Sequence, residues 1–261
     1  MKITCIQMDM QFCAPEENFR KAAKLIENAM TQQPDVLVLP ELWNTGFFPK
    51  ENLTGLCDRE GLRVKQEIGS LAKQYKVNIV AGSVADLREG KVYNTCYVFD
   101  RTGACIAAYD KTHLFSPMEE DQAFTPGDGI CRFRLDGVPC GVIICYDIRF
   151  PELSRTLALE GMDCLFMPAQ WPAERIDHLK TLCAARAIEN QVFLACCNSC
   201  GSADATVYGG CSAIYDPAGK VLSQAGTKES TVSAHLELSQ LTTIRNSINV
   251  FADRRPDLYR Q

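Results

Sequence analysis

The chain has 261 residues, 46% of them hydrophobic and 23% charged, with a formal net charge of -5. This is a globular composition with room for one large core, and it excludes collagen-like and disordered chains. A net acidic chain with no dense Lys/Arg block excludes a nucleic-acid surface, so small solutes are the expected partners and no nucleic acid is.

The N-terminal MKITCIQMDMQF alternates in polarity and holds no apolar stretch of signal-peptide length. No later segment approaches the ~20 apolar residues of a membrane span, which predicts a cytoplasmic protein without membrane contact. A strand is expected over residues 3–8. Phe19, Ala22, Ala23, Ile26 and Met30 then recur at helical spacing, and residues 36–39 read as a buried strand stopped by Pro40-Glu41. A second helix is expected over 60–75, with Val64, Ile68, Leu71, Ala72 and Tyr75 on one face, followed by a strand over 78–83.

Next comes a hairpin, 92–99 with 105–109, joined through Asp100-Arg-Thr-Gly103, whose glycine suits a positive φ. A second hairpin, 212–215 with 220–225, turns through Asp216-Pro-Ala-Gly219, and the shared pattern hints at two related halves. The stretch 114–129 is the longest without periodicity, which marks it as a functional loop. No Pro/Gly/Ser-rich linker divides the alternating strands and helices, so residues 1–261 read as one α/β domain.

The fourteen cysteines are scattered. Cys96, Cys105, Cys140 and Cys164 stand inside apolar strands, where thiols act as small hydrophobes rather than a disulfide framework. Cys197-Asn-Ser-Cys200 has Cys-x-x-Cys spacing. With no second pair at metal-site spacing and only His113, His178 and His235 in the chain, neither a metal nor a cofactor is expected.

In GVIICYDIRFPE, Val142, Ile143 and Ile144 read as a strand and Pro151-Glu152 as a helix start, so Cys145 falls on the turn between them. That turn is expected to give the thiol exposure, backbone N–H groups and a positive helix end, a placement that favours a thiolate. Asp147 and Glu152 offset this locally, so activation must come from elsewhere. Glu41, after the 36–39 strand, and Lys111, after the hairpin strand in YDKTHLF, also stand at strand ends, where open α/β sheets gather their ligands. Convergence of the three is therefore expected. Taken singly, Glu41 reads equally as a helix cap, Lys111 as an exposed hairpin charge and Cys145 as core filler. A Cys-His pair is disfavoured: His113 is expected to face away from Lys111, and His178 lies on a helical stretch with Ile176 and Leu179. No G-x-S-x-G elbow is present.

LPELWNTGF, YDKTHLF and GVIICYDIRFPEL closely resemble, in order and spacing, the signature segments of the nitrilase superfamily of carbon-nitrogen hydrolases. MPAQWP, CAARAIENQVF, VYGGCSAIYDPAGKVL and RRPDLY extend the match over most of the chain. The resemblance implies a four-layer α-β-β-α sandwich and a catalytic set of Glu41, Lys111 and Cys145. It also implies a second carboxylate from SPMEEDQ, among Glu119, Glu120 and Asp121, with spacing favouring Glu120. In the implied reaction Glu41 takes the thiol proton, Cys145 attacks an amide carbonyl, and Lys111 with the Tyr146 N–H holds the oxyanion. Phe47, Trp171 and Tyr146 are expected to line the cleft, with Arg175 or Arg149 available for a substrate carboxylate; structural ion pairing is the alternative for both arginines. CYDIRFPEL, AQWP, ARAIENQVF and the C-terminal DRRPDLY resemble the omega-amidase branch, which hydrolyses the distal amide of 2-oxo acids such as 2-oxoglutaramate. N-carbamoyl amide hydrolases and nitrilases share the same residue set, and a non-catalytic binding subunit is the remaining alternative. The resemblance also implies a homodimer or higher homo-oligomer, with residues 248–259 as a candidate contact.

Overall fold

Strands that are apolar on both faces must be covered twice, by helices on one side and by a second sheet on the other. The structure is a computed structural model that describes residues 1–259. In the first strand, Lys2–Gln7, Ile3 and Cys5 enter a core shared with a second sheet, whereas Ile6 enters a separate core beneath helices. Val36–Val38 repeats the alternation, with Val36 and Val38 inward and Leu37 outward. The helices Pro15–Ala29 and Leu62–Tyr75 cover that outer face with Phe19, Ala22 and Ile26 and with Val64, Ile68 and Ala72.

Pro15 at the first helical position and Glu16 and Glu17 in the first turn suit the orphan N–H groups and dipole of a helix start. The second helix begins later than residue 60. Glu60 and Gly61 are both left-handed, at φ 54° and 62°, and a Cβ on Gly61 would stand 2.4 Å from the Tyr97 ring. Met30 falls on a short 3-10 turn, Met30–Gln32, beyond the first helix.

The first sheet runs Ser230–His235, Lys2–Gln7, Val36–Val38, Asn78–Val80, Lys91–Phe99, Val84–Arg88, Asp58–Arg59, with Cys105–Asp110 also paired to Lys91–Phe99. The second runs Val221–Gln224, Ala213–Tyr215, Phe193–Asn198, Cys164–Ala169, Val138–Val142, Cys131–Leu135. Helices Pro151–Leu159 and Ile176–Asn190 cover the outer face of the second sheet. Gly141 is there the close-contact point, since a Cβ on it would meet Met162 and Leu157. The result is a four-layer α-β-β-α sandwich.

Both expected hairpins form, one in each sheet, with the same turn chemistry. Asp100 Oδ1 accepts from the N–H groups of Thr102 and Ala104, and Asp216 Oδ1 from those of Ala218 and Lys220. Gly103 and Gly219 take φ 84° and 78°. Several strands escaped the sequence reading, among them Val84–Arg88, Phe193–Asn198, Cys131–Leu135 and Ser230–His235. In Cys131–Leu135 the period-2 pattern is present, with Cys131, Phe133 and Leu135 buried and Arg132 and Arg134 exposed. Ser230–His235 places only Val232 and Ala234 toward the core, too weak an alternation to mark it, and it returns the chain to the first sheet as antiparallel partner of Lys2–Gln7.

Cys96, Cys140 and Cys164 are buried as expected, but Cys105 is exposed because its strand pairs on one side only. Every cysteine is a free thiol. Cys197 donates to the carbonyls of Ile6 and Val38, each at 3.2 Å, across the space between the sheets.

Candidate active site

The carboxyl ends of the parallel strands of both sheets meet at one end of the sandwich. Glu41 lies just past Val36–Val38, and its N–H reaches Ala169 O of the other sheet at 3.4 Å. Immediately before Glu41 the backbone passes close to Gly82, at φ 61°, where a Cβ would sit 2.0 Å from Pro40 O. Lys111 follows Cys105–Asp110, and its N–H donates to Asn94 O at 2.9 Å. Cys145 follows Val138–Val142 and opens a 3-10 turn, Cys145–Arg149, ahead of the Pro151–Leu159 helix.

These ends bring the candidate residues together. Lys111 Nζ, 2% exposed, donates to Glu41 Oε1 at 2.8 Å and to Glu120 Oε2 at 2.8 Å and Oε1 at 3.0 Å. Of the three acidic candidates in the loop, Glu120 is buried at the site, whereas Glu119 pairs with Lys50 at the surface and Asp121 is exposed. Asn94, which the sequence reading missed, donates to both carboxylates, to Glu41 at 2.9 Å and Glu120 at 3.1 Å. The second oxygen of Glu41 accepts the Gln170 N–H at 2.9 Å, and that of Glu120 the Phe115 N–H at 2.7 Å. Burial alone would push the Lys111 ammonium down, but the Glu120 and Glu41 carboxylates more than offset it and hold the group well above its ordinary value. Lys111 therefore stays charged.

Cys145 differs from its expectation in two respects. It is 9% exposed rather than open to solvent, because the end of the second sheet and its loop close over it. Burial first and the Glu41 carboxylate second hold its thiol well above the ordinary value, against the opposing pull of Lys111 and the Gln170 N–H. The resting group is therefore a thiol beside a carboxylate, not a thiolate. Its φ is 46°, a left-handed conformation that costs a non-glycine residue about 1–3 kcal/mol and that functional turns tolerate. His113 turns away from the site and bonds Asp147 at 2.8 Å; His178 is exposed.

A small cavity opens onto these groups. Phe47, Tyr146 and Trp171 line it as expected, joined by Phe115, Met118 and Pro172. Phe47 is held at φ 98°, and Trp171 is fixed by Nε1 donating to Arg175 O at 2.8 Å. Arg175 lines the cavity and pairs with the exposed Glu174 at 2.7 Å. Arg149, the other arginine offered from sequence for a substrate carboxylate, also lines the cavity, over the Trp171 ring at 4.9 Å, with no carboxylate paired to it among the described residues. A carboxyl-bearing ligand would find two guanidinium groups here.

This fold, with a turn-borne cysteine facing a buried lysine and two glutamates, defines a class of hydrolases that attack carbon-nitrogen bonds. The chain belongs to the carbon-nitrogen hydrolase family, whose model matches residues 2–246. It is 45% identical to the 2-oxoglutaramate amidase of Bacillus subtilis (strain 168), over 98% of each chain. An omega-amidase of Homo sapiens is 33% identical over 93% of this chain and 91% of its own. Among solved structures, a variant of an amidase from Nesterenkonia sp. AN1 has a TM-score of 0.88 at 25% identity, covering 99% of this chain and 95% of that one. That variant carries the acetamide moiety of fluoroacetamide on its active-site cysteine.

Proposed function

We propose that this carbon-nitrogen hydrolase cleaves the distal amide of small 2-oxo acids, 2-oxoglutaramate or 2-oxosuccinamate, to the 2-oxo dicarboxylate and ammonia through a thioester on Cys145. The observation that carries the reading is the buried Lys111 ion bound to two carboxylates beside a buried thiol, at the base of a cavity with Arg149 and Arg175 on its wall. The names of the B. subtilis and human relatives support the choice of substrate.

The thiol is un-ionised at rest, so proton transfer to Glu41 accompanies attack of Sγ on the amide carbon. The oxyanion forms against the Lys111 ammonium and the N–H of Tyr146, which as the second residue of the Cys145–Arg149 turn has no acceptor inside that turn. Glu41 returns its proton to the departing nitrogen as ammonia leaves. It then takes a proton from water, which attacks the thioester and releases the acid and the thiol. Glu120 holds Lys111 in place, and Asn94 ties the two carboxylates to one another.

The same reading takes residues 1–261 as one domain, supported by a core that runs from Ile3 to Leu241; residues 260 and 261 lie outside the described residues. Fourteen free thiols suit a reducing compartment, which supports a cytoplasmic site. Ile248, Leu258 and Tyr259, exposed at 64%, 65% and 49%, support a homodimer or higher homo-oligomer in which residues 248–259 meet the partner.

Ammonia release from 2-oxoglutaramate, 2-oxosuccinamate, glutamine, a carbamoyl β-amino acid and a simple nitrile tests the specificity. One of the oxo-acid amides is expected to have the highest kcat/KM, about 10–100-fold above glutamine, whose ammonium the two guanidinium groups disfavour. Preference for glutamine, the carbamoyl compound or the nitrile would overturn the assignment.

A further inference from the structure

Asp147 is fully buried, two residues beyond the cysteine, and touches neither Lys111 nor either glutamate. Its carboxylate accepts five hydrogen bonds. One oxygen takes the Ile144 N–H at 2.9 Å and the Tyr109 hydroxyl at 2.8 Å. The other takes the His113 N–H at 3.0 Å, His113 Nδ1 at 2.8 Å and the Thr112 hydroxyl at 3.1 Å. The donors thus come from both sides of the site. Ile144 precedes the nucleophile, whereas Tyr109, Thr112 and His113 flank Lys111. The His113 ring also stacks on Phe150, at the end of the cysteine turn, with centroids 3.7 Å apart.

We propose that Asp147 is a positioning residue for the reaction: it pins the turn that carries Cys145 to the segment that carries Lys111, and so sets the separation of thiol and ammonium. The inference rests on Cys145 and Lys111 acting as described above. A buried carboxylate is costly unless its acceptor sites are filled, and here the donors that fill them come from the two segments whose alignment the chemistry requires. The same bonds hold Cys145 in its left-handed conformation, since the Ile144 N–H is fixed immediately before it and the Asp147 N–H donates to Ile144 O at 3.0 Å. A misplacement of about 1 Å between reacting groups costs on the order of 100-fold in rate.

Asp147→Asn tests this, because an amide keeps the shape but presents an NH2 to donors on one side. The expected result is a kcat about 10–100-fold lower with KM within about 3-fold of wild type. A second readout separates alignment from fold stability: the pH profile of Cys145 alkylation by iodoacetamide, followed by peptide mapping. Loss of register with Lys111 raises the midpoint, whereas removing a negative charge with the geometry intact lowers it. An unchanged kcat or a lowered midpoint would overturn the proposal. If the asparagine variant does not fold, Tyr109→Phe and Thr112→Val each remove one donor and leave the carboxylate. Each is then expected to lower kcat about 3–10-fold and raise the midpoint, and wild-type values in both would overturn the proposal. Wild-type protein that is inert toward every amide of the panel would instead remove the catalytic reading itself.

Discussion

Raising the pH from about 8 to about 10 under reducing conditions is expected to unfold the protein, with the thermal midpoint falling steeply across that range. The cause is the number of thiols the fold keeps from ionising. Cys96, Cys145, Cys164, Cys196 and Cys197 are all held well above the ordinary thiol value; burial is the main cause, except at Cys196, where the Cys183 thiol ranks ahead of it. Below the unfolded-state value of about 8.5, both states keep the proton and these groups contribute no pH dependence. Above it, the unfolded chain releases protons that the folded chain retains, so each such thiol lowers stability by about 1.4 kcal/mol per pH unit. Five of them remove roughly 7 kcal/mol per unit, comparable with the ~5–15 kcal/mol that holds a domain together. Lys111 adds to the loss above about pH 10.4, since its raised value likewise keeps a proton the unfolded state gives up. Thermal melts followed by circular dichroism at half-unit steps test this. A midpoint flat to about pH 10 would mean that these thiols are solvated or ionised in the folded state.

Lys111→Met is expected to abolish most activity and to destabilise the fold. Loss of an oxyanion-stabilising donor typically costs about 10²–10³ in kcat. The substitution also leaves Glu41 and Glu120 buried and facing each other without the ammonium that joins them, a rupture that costs about 3–5 kcal/mol. Adding Glu120→Gln to Lys111→Met should recover part of the stability and none of the activity. Urea denaturation and steady-state ammonia release check both parts, and activity within about 10-fold of wild type would remove Lys111 from the mechanism.

The candidate residues at strand ends were legible in the sequence for a physical reason, whereas the four-layer order followed from the family resemblance. Glu41, Lys111 and Cys145 each follow an apolar run, so a reader who finds the strands also finds the strand ends where an α/β fold collects its ligands. Asn94 gave no such signal: it sits inside KVYNTCYVF, and only pairing between Lys91–Phe99 and its neighbours puts it between two carboxylates. Asp147 read only as a negative charge close to Cys145, because its donors Tyr109, Thr112 and His113 lie far upstream. Arg149 stayed open between a substrate contact and an ion pair, since whether a turn residue faces solvent or cavity depends on how Trp171 closes the wall. The burial of Cys145 was misjudged for a related reason. A turn is normally open, but here the loop leaving the neighbouring strand, from Gln170 to Pro172, roofs it over. Charge state follows burial: the thiolate that a turn alone favours gives way to a thiol, whose proton Glu41 is there to take.

The central claim is that Cys145 carries the acyl group of an amide substrate. Acid quenching of wild-type protein during its first turnovers of 2-oxoglutaramate, followed by digestion and mass spectrometry of the Cys145 peptide, reads this directly. The predicted result is a hydroxylamine-labile 2-oxoglutaryl group on Cys145, with ammonia released as it forms, and neither product in Cys145→Ala. Turnover with the acyl group on another residue, or ammonia release by Cys145→Ala at the wild-type rate, would contradict it.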